Sequence, residues 1–269
     1  MTLSIVVVFA SCSSNKTKVK LINIALTDEE YGFGVNKSNT ELLTKLNTYL
    51  KEIKSNGKFD AIVNKYFGNG TPEPVTSAKP DSSKDQLVVA TNAEFAPFEY
   101  VEGDKFLGVD MEIMADFAKY LGKELVISDM KFDAVCTAVQ QGEADVAAAG
   151  LTANETRKEI ISFSDSYYKA SQMIIVLDSD KTFDSCKTAE DVENVLKGFG
   201  TSVKCGVQAG TTGEYYAKGD EDWGFDGFGF TTEGYNSGAL AAQAMINGNI
   251  SFVIIDEAPA ANIVKSING

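Results

Sequence analysis

One arginine stands among the 24 basic side chains of this sequence, the others being lysine. Where a point charge is enough the chain writes Lys, so Arg157 marks a position suited to a planar fork of N–H donors, the group that grips a carboxylate through two parallel hydrogen bonds. The other use of such a side chain is a structural pair with Asp or Glu. Its surroundings favour a ligand. Ala144-Asp145-Val146-Ala147-Ala148-Ala149 reads as a strand, and Gly150-Leu151-Thr152-Ala153-Asn154-Glu155-Thr156-Arg157 as a small-residue loop, a hydroxyl and a helix start. Such a turn can hold a small anion on backbone N–H groups. Val207-Gln208-Ala209-Gly210-Thr211-Thr212-Gly213 repeats the plan, with a plain Thr N-cap as the ordinary alternative.

Composition removes several chemistries. The sequence has no histidine, which excludes His-dependent triads, His metal sites and His pH switches within it. A net charge of −14 argues against a nucleic-acid or anionic-lipid partner. With 44% apolar and 23% charged residues the chain is globular rather than disordered, and 269 residues allow one large domain or two small lobes.

The elements that must position these residues are legible as periodicities. Strand signals are Lys20–Ile24, Leu87–Ala90, Leu125–Ile127, Met173–Leu177 and Phe252–Ile255. Between them run three helical stripes. Leu42, Leu46, Leu50 and Ile53 form the first, with Ser38 and Glu41 spaced as a capping box. Phe59, Ile62, Val63, Tyr66 and Phe67 form the second, stopped by Gly68, and Met111, Met114, Phe117, Ala118 and Leu121 the third, ended by Gly122. Strands alternating with helices predict an α/β protein with largely parallel sheets. Cys136 falls in an apolar helical stretch as a small core residue, and the spacing of Cys186 and Cys205 leaves their pairing open.

Two segments break the pattern. Leu3–Ala10 is apolar, too short to span a bilayer, and runs into Phe9-Ala10-Ser11-Cys12, which reads as an export signal with a loosely written lipobox at Cys12 and a tether behind it. Asn69–Gln86 holds three of the five prolines among Ser, Thr, Lys and Asp, and predicts a solvated linker. The piece in front of it, roughly 50 residues, is short for an α/β domain of its own.

Taken in order, a set of stretches resembles the family 3 extracellular solute-binding proteins, the amino-acid receptors of ABC importers. These are Ala90–Tyr100 (ATNAEFAPFEY), Phe106–Asp110, Phe132–Val135, Thr152–Arg157, Phe163–Tyr168, Gly210–Thr212 and Ile254–Asp256. The family's closing segment stands at the front instead: Leu21–Leu26, then Glu29-Glu30-Tyr31-Gly32, then the two stripes to Tyr66-Phe67-Gly68. Residues 19–68 and 87–269 total about 233, one receptor of this type in circularly permuted order, with the Pro-rich segment joining the usual termini. As a coil, its 18 residues reach roughly 20–25 Å. Two other readings of the order are a gene fragment joining parts of tandem receptors and a chain whose first 68 residues complete a neighbour's fold in a swapped dimer.

The resemblance implies a two-lobed, periplasmic-binding-protein-like (type II, Venus-flytrap) α/β fold. One lobe would hold residues 30–173, including the linker 69–86, and the other 19–29 plus 174–269, behind a signal and tether at 1–18. Chain crossings between lobes would lie near Leu26–Gly32 and Ala170–Val176. It implies that Arg157 and Thr152, with Thr211 and Thr212 opposite, take a ligand α-carboxylate, and that Asp256 and Gly150 take the α-ammonium. Asn92, Glu94, Phe95, Phe132 and Gln208 would line the side-chain pocket, Asn92 tilting the expected ligand toward a polar neutral amino acid, with a basic one second. No metal and no cofactor are implied. The implied partners are the free amino acid and a membrane permease, for an extracytoplasmic monomer, periplasmic or anchored through lipid on Cys12. A same-fold enzyme of cyclohexadienyl-dehydratase type, with Glu94 as acid/base, and an amino-acid sensor module are the competing functions.

Overall fold

Leu42, Leu46, Leu50 and Ile53 all fall on the buried face of helix α1 (Thr40–Ser55), joined by Tyr49. Each such side chain contributes about 1.5–3 kcal/mol of transfer free energy, so the stripe and not the local propensity holds this helix in place. Its N-cap is Asn39, whose side chain accepts from the Leu42 N–H. The expected capping box at Ser38 and Glu41 is therefore not formed. Ser38 is one residue too early, and its hydroxyl and N–H both donate to Asn36 Oδ1 in a local turn.

The computed structural model describes residues 17–269; the apolar start and Cys12 lie outside the described residues. Strands β1 (Val19–Ile22), β2 (Glu29–Tyr31) and β3 (Gly34–Asn36) precede α1, and α2 (Lys58–Phe67) follows it. After the Pro-rich segment come β4 (Gln86–Thr91), β5 (Glu94–Phe95), β6 (Glu99–Glu102), β7 (Lys105–Leu107), α3 (Val109–Leu121) and β8 (Glu124–Asp129). Next are α4 (Phe132–Gln141), β9 (Val146–Ala147), α5 (Glu155–Ile160), β10 (Ile161–Phe163) and β11 (Tyr168–Ala170). The rest holds β12 (Gln172–Leu177), α6 (Ala189–Lys197), β13 (Lys204–Gln208), α7 (Thr212–Lys218) and β14 (Thr231–Tyr235). It ends with α8 (Gly238–Ile246), β15 (Phe252–Asp256) and α9 (Glu257–Asn268).

Two five-stranded sheets result, ordered β1-β12-β15-β13-β14 and β10-β3-β9-β4-β8. Each is the centre of one lobe. The chain passes between them twice, through β2 and β11, which pair antiparallel with Tyr168 opposite Tyr31 and Ala170 opposite Glu29. The first crossing lies where the sequence put it. The second is earlier than expected, because Gln172 already begins a strand of the first sheet.

The sheets are mixed rather than largely parallel. β13 runs parallel to β14 and β15, and β4 parallel to β8 and β9, each joined by helical crossovers. β1–β12, β12–β15, β10–β3 and β3–β9 are antiparallel, because those strands belong to chain entering or leaving through the crossing ribbon.

The Pro-rich segment is a pinned strap, not a solvated coil. Val75 is buried and exchanges both backbone hydrogen bonds with Phe106. The Ala78 N–H donates to Leu125 O, and Ser77 Oγ accepts from the Ile127 N–H. At the other end of the molecule, the Val19 N–H donates to Asn268 Oδ1 while Asn268 Nδ2 donates to Val19 O, so β1 and the last turn of α9 are tied together. Cys136, Cys186 and Cys205 are all free thiols, so the pairing left open by spacing is not made. Among the described residues no helix is long and apolar enough to cross a membrane, and no cluster of acidic or thiol side chains could hold a metal ion.

Candidate functional site

β9 ends at Ala147 and the chain turns through Gly150 into α5, whose N-cap Asn154 accepts from the Arg157 N–H. The turn is tight against its neighbours. Gly150 has φ +55°, and a Cβ there would lie 2.9 Å from the Phe95 ring. From the other lobe, β13 ends at Gln208 and turns through Gly210, at φ +77°, into α7. A Cβ on Gly210 would press within 3.2 Å of Asp133 of the first lobe, so a small residue at this turn lets the second lobe approach α4 closely.

Arg157 sits at this junction and is buried. One guanidinium nitrogen donates to Thr152 O (3.0 Å) and the other to Gly210 O (3.1 Å), which spans the lobes. Its guanidinium carbon lies over two aromatic rings, 5.3 Å from the centre of Phe132 of its own lobe and 4.9 Å from that of Trp223 of the other. Burial pulls its pKa below the ordinary value, opposed by the charges of Glu29 and Asp256 among others. A guanidinium has five N–H donors, so among the described residues three are left for a further acceptor.

A second polar chain links the lobes. Thr212 Oγ1 donates to Thr152 Oγ1 (3.2 Å), which donates to Glu29 Oε2 (2.6 Å). Glu29, buried on crossing strand β2, also accepts from Gln172 Nε2 and Thr27 Oγ1. Asp256 ends β15 at the N-cap position of α9, yet its side chain caps nothing; Oδ2 accepts from the Tyr31 hydroxyl at 2.5 Å. Burial first, and then the charge of Glu29, raise the Asp256 carboxyl to about 7.

Beside this lies a cavity of about 240 Å³ between the lobes, lined by Asn92, Glu94, Asp129, Phe132 and Asp133 from one side and Tyr235 from the other. The Asn92 amide is engaged at both ends, donating to Met130 O and accepting from Gln208 Nε2. Gln208 Oε1 and Gln172 Oε1 are buried acceptors with no hydrogen-bond partner among the described residues. A larger cavity, about 590 Å³, runs beneath the strap between α2 and α3. Its cations are mostly engaged, Lys58 with Asp116, Lys65 with Glu73 and Glu112, and Lys123 with Asp85, so the inter-lobe junction is the better candidate.

Of the residues singled out in the sequence, Arg157, Thr152, Thr212 and Asp256 gather at the crossing between lobes, and Asn92, Glu94, Phe132 and Gln208 around the adjoining cavity. Phe95 is buried against Gly150 and Phe98 as a wall. Thr211 Oγ1 donates to Gln208 O and so holds its own turn, while the Gly150 N–H donates to Asp110. Glu29, Tyr31, Gln172 and Trp223 were not singled out. Trp223 is the single tryptophan, and the rarity that drew attention to Arg157 marks it equally.

Comparison with known proteins follows the same lines. The family model described as bacterial extracellular solute-binding proteins, family 3, matches residues 3–69 and 87–251. The arginine-binding extracellular protein ArtP of Bacillus subtilis (strain 168) is 33% identical over 186 residues, 69% of this chain and 67% of the relative. An ancestral arginine-binding protein solved with arginine is 34% identical, covering 69% of this chain and 76% of its own, with a TM-score of 0.58. The ancestral amino acid-binding protein AncCDT-1, a precursor of cyclohexadienyl dehydratase, is 29% identical with a TM-score of 0.58, covering 68% of this chain and 74% of its own. Across several curated relatives, the match spans 32–67% of their own lengths.

Proposed function

The chain belongs to family 3 of the bacterial extracellular solute-binding proteins, and from that premise we propose that it holds a free L-amino acid between its two lobes and delivers it to the membrane permease of an ABC importer. The observation that carries the reading is the pairing of Arg157, with three uncommitted guanidinium donors, and the buried Asp256 carboxylate at one inter-lobe junction. An amino acid offers the complementary pair. Its α-carboxylate goes to Arg157 and to the Thr212 hydroxyl and N–H, with Thr152 joining once its hydroxyl turns from Glu29. Its α-ammonium goes to Asp256. Thr211 and Gly150 serve by shaping the turns. Because these groups come from both lobes, the ligand contacts the closed arrangement more than the open one, the requirement for ligand-driven closure.

For the side chain we favour a cationic group, with a polar neutral one second. Asn92, which tilted the sequence reading the other way, has its amide already engaged, while the cavity carries the carboxylates of Glu94, Asp129 and Asp133 and lies beside the unpartnered Gln208 Oε1. The arginine-binding relatives agree with that preference.

The two-block family match on either side of the strap supports a circularly permuted receptor. So does the place of β3 between β10 and β9 in the second sheet, and a monomer is the state we propose. For the lobe boundary we propose residues 29–30 at the first crossing and about 170–171 at the second, ahead of the expected 173–174, because Gln172 already pairs in the sheet of the other lobe. An extracytoplasmic location follows from the family, and a lipid on Cys12 is the anchoring we propose. Binding without catalysis is the reading we favour over a dehydratase, since the precursor named among the similar structures is itself described as an amino acid-binding protein.

A thermal-shift screen against the twenty amino acids tests the proposal. A ligand at 100 times its Kd stabilises by about 2.7 kcal/mol, or roughly 5–10 °C for a chain of this size. L-arginine or L-lysine is expected to give the largest shift. No shift with any amino acid would remove the reading.

A further inference from the structure

The single tryptophan lies against the single arginine, and the two belong to different lobes. Trp223 sits on the loop 219–230 between α7 and β14, which the backbone ties into a closed turn. Asp220 N–H donates to Phe225 O (2.8 Å), Phe225 N–H to Asp220 O (3.0 Å), and the Trp223 N–H to Asp220 Oδ1 (3.1 Å). The indole is backed by Tyr215 of α7, stacked at 4.3 Å with 24° between the rings. Its outer face meets the Arg157 guanidinium at 4.9 Å, and Phe132 covers the guanidinium at 5.3 Å.

We propose that Trp223 is a positioning residue for ligand capture: it clamps the Arg157 guanidinium in the plane that presents its remaining donors to a carboxylate, and it does so only when the lobes are together. The chemistry is specific to an aromatic ring. A guanidinium is planar and weakly hydrated, so it stacks on an indole face and keeps its N–H groups directed outward in the plane. Two carbonyl acceptors, Thr152 O and Gly210 O, fix the fork within that plane. Phe132 travels with Arg157 and covers it in either arrangement of the lobes, whereas Trp223 arrives with the second lobe. The clamp therefore adds to the closed state a contact that the ligand itself does not make, and it sharpens the grip at the moment of closure.

This inference rests on Arg157 as the carboxylate grip, and the test separates the two. Binding of L-arginine is measured by calorimetry for the wild type, Trp223→Phe, Trp223→Leu and Arg157→Ala, with ligand-free melting temperatures for each. Trp223→Phe is expected to stay within about threefold of the wild type and Trp223→Leu to bind at least tenfold more weakly. The ligand-free melting temperatures of both are expected to stay within a few degrees of the wild type. Because Trp223 is the only indole, wild-type tryptophan emission is expected to shift on adding L-arginine. Wild-type affinity in Trp223→Leu, equal losses in the Phe and Leu variants, or unmoved emission on saturation would each overturn the clamp. Wild-type affinity in Arg157→Ala, or no binding of L-arginine to the wild type, would overturn the carboxylate reading and the clamp with it.

Discussion

Replacing Arg157 with lysine keeps the charge and removes the fork, which makes it the most discriminating change in the site. The guanidinium supports Thr152 O and Gly210 O with one N–H from each terminal nitrogen and still has donors for a bidentate carboxylate. A lysine ammonium has three donors radiating from one atom, so it cannot hold both carbonyls and two carboxylate oxygens together. At least one charge-assisted hydrogen bond is lost, about 1.5–3 kcal/mol, which corresponds to roughly 10- to 100-fold in Kd. The stacking between Phe132 and Trp223 weakens as well, because an ammonium has no plane to lay against the rings. Calorimetry with the amino acid selected by the thermal-shift screen reads the change, and the ligand-free melting temperature checks the fold. An Arg157→Lys protein that melts normally and binds as tightly as the wild type would refute the reasoning, since the fork and its plane are what separate this side chain from a lysine.

Three further outcomes follow from the buried carboxylates and from the first helix. The ligand ammonium needs Asp256 ionised, and burial and Glu29 raise that carboxyl to about 7. Between pH 8 and pH 6 affinity is therefore expected to fall about tenfold, with a proton released on binding at the lower pH; flat or rising affinity would contradict the assignment. Ligand-free stability runs the other way. Asp256 and Asp110 both titrate near 7 when folded and near 4 when unfolded, so the folded state binds more protons in that window and unfolding becomes easier as pH rises through it. Denaturant titrations at pH 5 and pH 8 check the sign. For α1, Asn39→Ala is expected to cost about 1 kcal/mol and Ser38→Ala a few tenths, as read from unfolding midpoints. The reverse ranking would restore the capping box.

Much of the fold was legible because period and burial coincide. The stripe from Leu42 to Ile53 and the glycines after Phe67 and Leu121 fix three helices without reference to anything distant. Asn69–Gln86 misled for the converse reason. Its composition describes side chains, while what holds it is backbone pairing of Val75 with Phe106 and capture of the Ile127 N–H by Ser77. Strand direction was equally out of reach, because a strand delivered by a crossing ribbon looks in sequence like one delivered by a helix. In the site, Arg157 stood out by rarity, and Thr152 by lying within its own turn. Glu29 and Gln172 are 143 residues apart and meet because β2 and β11 pair, a proximity that no local pattern contains. Trp223 was hidden by its type, since a lone aromatic usually means core.

The mutual hydrogen bonds between Val19 and Asn268 have a mechanical consequence. Val19 and Asn268 lie together on the β1–α9 side, so a tether in front of β1, as proposed for Cys12, would hold one lobe. Among the described residues the backbone enters and leaves the other lobe, which carries Arg157, through the two-strand ribbon of β2 and β11. A load applied at the ends stays within a single lobe and does not cross the hinge. Under the proposed closure, holding that lobe would leave the lobe that carries Arg157 free to move.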